Sequence, residues 1–247
     1  MRTIARLDIK NEYVIKGIQL EGLRKVGNPN EMARQYYEGG IDELLFIDCV
    51  ASLYERRSIF EILRRASEEV FIPITIGGGL RTLDDIEAAL DSGADKVAIN
   101  TAAVARPEFL TEVAQRYGSQ CVVASIQSKR VGKGWEVYVD AGREKTGIDV
   151  VEWARRTEAL GAGELLLTSV DKDGTRTGFD VDLIEAVNAA VNIPVIAGGG
   201  FGKSEHIAGL VKRSVPSGLF FASMLHYKKM DVRDLKDAVE KSSGQPS

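Results

Sequence analysis

Three consecutive glycines follow a strand-like apolar segment at two places in this chain. The first copy, Ile72–Gly79, reads IPITIGGG, and the second, Ile193–Gly200, reads IPVIAGGG. The copies are separated by 193 − 72 = 121 residues, about half of the 247-residue chain. A glycine turn lets the backbone approach an anion closely, and a helix that begins after it adds donors and a positive dipole end. We therefore predict a duplicated scaffold with two phosphate-binding turns; ordinary tight turns are the alternative.

The duplication extends beyond the glycines. Glu43–Leu45 has a counterpart in Glu164–Leu166, again at 164 − 43 = 121, and Ile4–Lys10 aligns with Val123–Lys129 at 123 − 4 = 119. The repeat unit is therefore half of the chain.

Apolar segments rich in Val, Ile and Leu alternate with amphipathic helical segments along the whole chain. Continuous apolar segments are typical of parallel strands that helices cover. Eight strands, each followed by a helix, predict a (β/α)₈ TIM barrel that is built from two half-barrels and occupies residues 1–247 as one domain. An open, doubly wound sheet is the alternative, but it gives no reason for an even division into eight units. The predicted strands are Ile4–Ile9, Leu44–Asp48, Ile72–Ile76, Lys96–Ile99, Cys121–Ile126, Glu164–Thr168, Pro194–Ala197 and Gly218–Ala222.

Helix start signals lie at Asn28-Pro29, Thr82 and Arg106–Glu108, where a capping oxygen, a proline at the first position or acids in the first turn are present. The segment Lys10–Asn28 is predicted to be a loop, and Ser242–Ser247 a frayed tail. The other predicted helices are Arg57–Val70, Gly147–Leu160, Asp180–Val191, Lys203–Lys212 and Asp231–Lys241.

The composition narrows the function classes. The net charge is −4 and the basic residues are scattered, which does not favour nucleic-acid binding. No apolar segment approaches the length of a membrane span, and Met1–Lys10 lacks the features of a signal peptide. Cys49 and Cys121 lie in or beside predicted strands, so we expect small buried side chains in a reducing cytoplasm instead of a disulfide. With only two histidines, His206 and His226, a Cys/His metal site is not expected. No cofactor is expected either.

Polar residues follow the predicted strands at the face where barrel enzymes place their chemistry. The alignment of the two halves puts Asp8 and Gln127 at equivalent positions of this face. A carboxylate such as Asp8 can serve as general acid or base, or it can cap its own loop. Thr168–Thr175 concentrates hydroxyls, two carboxylates and a glycine, and a purely structural polar turn is again the alternative.

Each glycine turn has a polar or small pair on the next strand that would complete a phosphate pocket. Asn100-Thr101 would pair with Gly78-Gly79, and Ala222-Ser223 would pair with Gly199-Gly200. Phosphate sites near the last two strands are common in this barrel class.

At the opposite face, Arg2, Glu43, Lys96 and Glu164 lie at the starts of four predicted strands. Two acids and two bases should meet at the barrel floor. They could form a salt-bridged plug that satisfies buried charge, or a gate; the residues alone leave both interpretations open.

Nine motifs, spread over most of the chain, are shared with one known family. They are Leu7–Lys10, Lys16-Gly17, Asp42–Leu44, Gly77–Gly79, Gly93–Val97, Gly118–Gln120, Gly161–Glu164, Leu166–Ser169 and Asp171–Thr175. With these motifs, the chain from Arg2 to about Lys241 resembles the synthase (cyclase) subunit family of imidazole glycerol phosphate synthase. That family implies a glutaminase partner at the N-terminal barrel face, whose ammonia passes the charged ring. It also implies a ribulosyl aminoimidazole carboxamide substrate with phosphates at both ends, converted to imidazole glycerol phosphate and an aminoimidazole carboxamide ribotide.

The resemblance also implies roles for individual residues. Asp8 matches one of two catalytic aspartates, and Arg2, Glu43, Lys96 and Glu164 match the gate. Phosphate contacts are implied for Gly79, Asn100 and Thr101 on one side and Gly174, Gly200, Ala222 and Ser223 on the other; pocket positions are implied for Lys16, Asp48, Thr168 and Asp173.

The main departure from the family pattern is Gln127, which stands where the second catalytic aspartate belongs. A carboxamide cannot shuttle a proton at neutral pH, and losing one acid–base group typically slows a reaction by about 10²–10⁴. Gly198 and Ala141 also replace serines of the family pattern. Three hypotheses follow: a working cyclase, a relative with weak cyclase activity that supplies ammonia to a sugar amidotransferase of surface-polysaccharide synthesis, or a scaffold that only binds a glutaminase.

Overall fold

The computed structural model describes residues 1–49 and 56–244, with backbone only for residues 56–58. Within these ranges the strands are, in chain order, β1 (Arg2–Lys10), β2 (Tyr13–Ile18), β3 (Glu21–Gly27), β4 (Glu43–Asp48), β5 (Ile74–Gly77), β6 (Lys96–Ile99), β7 (Val122–Val131), β8 (Gly134–Val139), β9 (Glu144–Asp149), β10 (Glu164–Ser169), β11 (Val195–Gly198) and β12 (Gly218–Phe221). The α-helices are α1 (Pro29–Glu38), α2 (Arg56–Glu69), α3 (Leu83–Asp91), α4 (Thr101–Ala105), α5 (Glu108–Tyr117), α6 (Val150–Ala159), α7 (Val181–Asn188), α8 (Ser204–Val211), α9 (Ser223–His226) and α10 (Val232–Ser243). None of these helices is long and apolar enough to cross a bilayer.

Eight of the strands close into a parallel barrel in the order β1-β4-β5-β6-β7-β10-β11-β12, and β12 pairs with β1. The closing pairs are parallel, including β7 with β10 and β1 with β4. Helices follow the barrel strands, so the predicted (β/α)₈ TIM barrel is confirmed. All eight predicted strands lie within or overlap the observed ones.

Side chains alternate between two apolar layers along each barrel strand. On β1, Ala5, Leu7 and Ile9 pack in the layer between strands and helices, whereas Ile4 belongs to a separate cluster inside the barrel. The interior cluster consists of Ile4, Leu45, Ala98, Val123, Leu166, Ile196 and Phe220. Because side chains alternate along a strand, Arg6 and Asp8 point inward above this apolar plug.

The predicted loop Lys10–Asn28 is wrong, because it forms β2 and β3. Together with the end of β1, these strands make an antiparallel extension beyond the barrel rim. Val14 and Ile15 are buried consecutively and β3 is largely exposed, so no period-2 alternation marks the segment. The second half of the barrel has an equivalent antiparallel extension, in which β8 pairs with β7 and β9 pairs with β8.

Helix boundaries agree with the capping signals. Asn28 accepts hydrogen bonds from two backbone N–H groups of α1, and Thr82 forms a capping box with Asp85 at the start of α3. Three helix boundaries differ from prediction by two or more residues. The helix predicted to reach Val191 ends at Asn188. Gly147–Asp149 belongs to β9 instead of the following helix, and α10 continues through Ser243, so the tail is not frayed there; residues 245–247 lie outside the described residues.

Candidate functional site

A cavity of about 920 Å³ opens at the carboxyl ends of the barrel strands, mainly β1, β4, β5, β6 and β7. The predicted site residues that line it are Asp8, Lys16, Asp48, Gly78, Gly79, Asn100, Thr101 and Gln127. The predicted residues that do not line this cavity are Thr168, Asp173, Gly174, Gly199, Gly200, Ala222 and Ser223. The two predicted phosphate pockets therefore differ in their access to it.

Asp8 is the centre of a buried cluster of four charged side chains. Its Oδ1 accepts a hydrogen bond of 2.8 Å from Nε of Arg6, and its Oδ2 lies 3.9 Å from Nζ of Lys16. Nζ of Lys16 in turn lies 2.6 Å from Oδ2 of Asp173. All four residues are at most 3% exposed, so these contacts act in a medium that screens them weakly. Two cations therefore balance two carboxylates.

The pKa of the Asp8 carboxyl lies below its ordinary value of 3.8. Burial by itself raises this pKa, but the charges of Arg6 and Lys16 and the hydrogen bond from Arg6 outweigh the loss of solvation. Asp8 is therefore ionised at neutral pH and can accept a proton.

Sequence reasoning did not single out Arg6. It lies between the apolar residues Ala5 and Leu7 of β1, and its second partner, Oγ1 of Thr168 at 3.1 Å, is 162 positions away in the sequence. The available signal was an arginine on the inward-facing side of the predicted strand β1, two residues before the candidate catalytic Asp8.

Gln127 lies across the barrel from Asp8, on β7. Its Oε1 is buried and has no hydrogen-bond partner among the described residues, although the side chain lines the cavity. A buried acceptor without a donor is unfavourable, so it is suited to a ligand that brings an N–H or O–H group.

The two glycine turns have matching backbone geometry. Gly78 has φ +94° and Gly199 has φ +102°, and a Cβ at either position would meet the carbonyl oxygen at the end of the preceding strand. That oxygen belongs to Asp48 in the first half, 2.1 Å from the built Cβ, and to Ser169 in the second half, 2.6 Å away. Because 48 + 121 = 169 and 78 + 121 = 199, the structural equivalence follows the sequence repeat. Only glycine fits these positions.

The residues that follow β6 and β12, Asn100 and Ala222, also have similar backbone conformations. Asn100 has φ −118° and ψ −85°, Ala222 has φ −138° and ψ −81°, and neither side chain caps the short helix that follows. The first N–H groups of α4 and α9 therefore have no side-chain acceptor at the cap position. Nδ2 of Asn100 donates to the backbone oxygen of Tyr138, which leaves its Oδ1 buried without a described partner.

The turn after β10 lies against the hairpin of β2 and β3. Besides the ion pair of Lys16 with Asp173, the N–H of Gln19 donates to the backbone oxygen of Asp173 at 2.8 Å. A Cβ on Gly174 would lie 2.5 Å from the backbone oxygen of Gly17, so the two backbones touch. The hairpin therefore links the first half of the barrel to the Thr168–Thr175 turn of the second.

At the opposite face, Arg2, Glu43, Lys96 and Glu164 form a closed ring of alternating charge. Arg2 bonds both carboxylates, and Nζ of Lys96 lies 3.3 Å from Glu43 and 2.9 Å from Glu164. The glutamate side chains are 7% and 6% exposed, whereas Arg2 is 31% exposed at the outer side. The ring lies directly below the apolar plug.

Residues 2–231 match the family described as Histidine biosynthesis protein. The imidazole glycerol phosphate synthase subunit HisF of Legionella pneumophila is 59% identical over 206 residues, which are 83% of this chain and 97% of that protein. The protein of the same name from Myxococcus xanthus (strain DK1622) is 51% identical over 225 residues, covering 91% of this chain and 89% of the relative. That from Streptococcus sanguinis (strain SK36) is 45% identical over 240 residues, covering 97% and 95%.

Proposed function

Because the chain belongs to the histidine biosynthesis protein family, we propose that it is the synthase subunit of imidazole glycerol phosphate synthase. In this lyase reaction, ammonia from a glutaminase attacks a bis-phosphorylated ribulosyl aminoimidazole carboxamide. The products are imidazole glycerol phosphate and an aminoimidazole carboxamide ribotide. The high identity to the HisF relatives over most of the chain supports this function.

The observation that carries the proposal is a buried, ionised aspartate in the wall of a substrate-sized cavity. Asp8 lies at the carboxyl end of β1, faces the cavity of about 920 Å³ and is held by two cations. Ring closure needs a proton acceptor near the reacting nitrogen, and an oriented carboxylate supplies one. Asp8 is our proposed general base.

The two ends of the substrate would be held by the two glycine turns. Gly78, Gly79, Asn100 and Thr101 line the same cavity as Asp8, so one phosphate would lie there. The matching backbone of Gly199-Gly200 and Ala222-Ser223, next to Gly174, would take the other. Lys16, Asp48, Thr168 and Asp173 would shape the pocket between them.

The charged ring fits a gate for ammonia. A glutaminase bound at the N-terminal face would release ammonia next to Arg2, the most exposed member of the ring. From there the path to Asp8 runs through the barrel interior, past Lys96 and the apolar plug.

A second function is favoured by Gln127 alone. Its amide cannot exchange a proton with the substrate, so the chain would combine an intact ring with weakened ring closure. Such a subunit could supply ammonia to a sugar amidotransferase of surface-polysaccharide synthesis. No protein of that kind is among the relatives described above, and the synthase function takes precedence.

An assay of the purified chain with the ribulosyl substrate and excess ammonium tests the proposal. We expect turnover well above the rate of the Asp8→Asn variant, and a higher rate for Gln127→Asp because it restores a second acid–base group. Turnover of the unmodified chain at the Asp8→Asn rate would reject the synthase function. Recovery in Gln127→Asp would then favour the ammonia-supplying subunit, whereas no recovery would favour a scaffold.

A further inference from the structure

Arg6 occupies the barrel interior between the apolar plug and the site. It is 2% exposed, and its guanidinium lies 5.1 Å from the ring centroid of Phe220, a member of the plug. An arginine at such a place is unfavourable unless each charged and polar contact is satisfied.

The guanidinium is oriented from three sides. Nε donates to Oδ1 of Asp8 at 2.8 Å, Nη1 donates to Oγ1 of Thr168 at 3.1 Å, and Phe220 supports its face. The ring of Phe220 has room because residue 198 is glycine: a Cβ on Gly198 would lie 2.6 Å from its carbon atoms. Arg6 therefore spans from β1 to β10 with a fixed geometry.

We propose that Arg6 is a positioning residue that fixes the orientation of the Asp8 carboxylate and keeps it charged, so that Asp8 acts as a proton acceptor and not as a proton donor. The role in turnover rests on the proposed function, whereas the state of the carboxylate does not. The charged and titratable groups that interact with the pair of Arg6 and Asp8 are Lys16 on β2, Cys49 after β4, Asp173 after β10 and His226 on α9.

Compared with these groups, Arg6 makes the shortest contact with Asp8. Lys16 lies 3.9 Å from Asp8 but 2.6 Å from Asp173, so its charge is largely engaged by the other carboxylate. Without Arg6, Asp8 would keep its burial and lose its main compensating charge. Its charged form would then be strongly disfavoured.

The test is a carboxyl titration by NMR of the full chain, with carbon-13 in the aspartate side chains and Asp8 assigned through Asp8→Asn. In the unmodified chain we expect a midpoint below the ordinary aspartate value. In Arg6→Met and Arg6→Gln we expect the acid dissociation constant of Asp8 to fall by a factor of about 10 to 1000. Arg6→Lys, which keeps the charge, should recover part of this change.

Arg213→Met is the matched control, since Arg213 also contacts two carboxylates but lies on the surface. It should leave the Asp8 midpoint unchanged, and circular dichroism should verify that each variant is folded. A midpoint in the unmodified chain at or above the ordinary value would overturn the proposal, even if both uncharged variants failed to fold. An unchanged midpoint in a folded Arg6→Met or Arg6→Gln would also overturn it.

Turnover gives a second readout where it is present. In Arg6→Met the acid limb of the kcat profile should move to higher pH by the factor seen in the titration, with little change in KM. If the chain closes no imidazole ring, the synthase function fails and the titration still decides the role of Arg6.

Discussion

Replacing Lys96 by methionine would test the charged ring at the barrel floor. Lys96 contacts two buried carboxylates, Glu43 at 3.3 Å and Glu164 at 2.9 Å. After the substitution, Arg2 alone would compensate both. Leaving a buried charge without its partner costs about 3–5 kcal/mol.

The expected loss is smaller than that range for two structural reasons. Arg2 continues to bond both glutamates, and the side chain of Lys96 is itself 19% exposed, so water can replace part of its interaction. We expect a loss of about 2 kcal/mol in the free energy of unfolding, below the usual range for a buried pair. For a chain of this size, that corresponds to a fall in Tm of about 4–8 °C.

Thermal unfolding of Lys96→Met beside Arg213→Met gives the comparison. Arg213 also contacts two carboxylates, Asp182 and Glu185, but every partner is at least 41% exposed. Its replacement should barely change Tm, because exposed ion pairs are solvated and screened. Equal changes in the two variants would refute the reasoning that burial makes the ring contacts strong.

Lys96→Met also distinguishes the two interpretations of the charged ring, a salt-bridged plug and an ammonia gate. If the ring is only a salt-bridged plug, Lys96→Met should lower Tm without affecting the transfer of ammonia. In a complex with a glutaminase, a gate would also lower the ratio of glutamine-driven to ammonium-driven turnover. We expect both effects, and an unchanged ratio would leave the ring a purely structural plug.

Two further predictions concern the glycine turns and a buried histidine. Gly78→Ala and Gly199→Ala should each lower Tm and weaken phosphate binding in calorimetry, because the added Cβ would clash with a backbone oxygen. Gly209→Ala is the control: it has open space around the added Cβ and should stabilise the chain slightly. Burial lowers the pKa of His226 from 6.5 to about 4, so the unfolded chain takes up the proton first as pH falls. The contribution of neutral His226 to the free energy of unfolding is therefore complete above about pH 6.5 and is lost as the pH falls towards 4. Between pH 7.5 and pH 5, urea unfolding should show a decrease in the free energy of unfolding that is about 2 kcal/mol larger in the unmodified chain than in His226→Gln.

The barrel could be predicted from sequence because its strands are buried on both faces. Continuous segments such as Glu164–Ser169, all six residues buried, give a strong and local signal. The hairpin of β2 and β3 has no such local signal. Residues of β3 are mostly exposed, and β2 contains Gly17, where an added Cβ would lie 1.9 Å from the backbone oxygen of Glu21. Such an extension is held by contacts with the distant turn at Asp173, which no local pattern encodes.

The candidate site was predictable to the extent that the repeat determines it. Duplicated glycines and strand ends placed Asp8, Gln127 and the two turns at one face of the barrel. The repeat could not show which side chains interact, because ion pairs such as Lys16 with Asp173 join residues 157 positions apart. Nor could it show that the first turn shares a cavity with Asp8 while the second does not.

The two halves share a backbone but differ in the charge that they place above the apolar plug. With the offset of 119 residues, Arg6 corresponds to Ser125 and Asp8 to Gln127, so an ion pair in one half faces two neutral side chains in the other. Arg6 nevertheless reaches Thr168, which pairs in register with Gln127. A carboxylate at position 127, as in Gln127→Asp, would add a third negative charge to a site whose two cations, Arg6 and Lys16, already balance Asp8 and Asp173. Arg6 and Asp8 thus form an ion pair at positions where the second half carries Ser125 and Gln127, and the asymmetry between the halves lies in this pair.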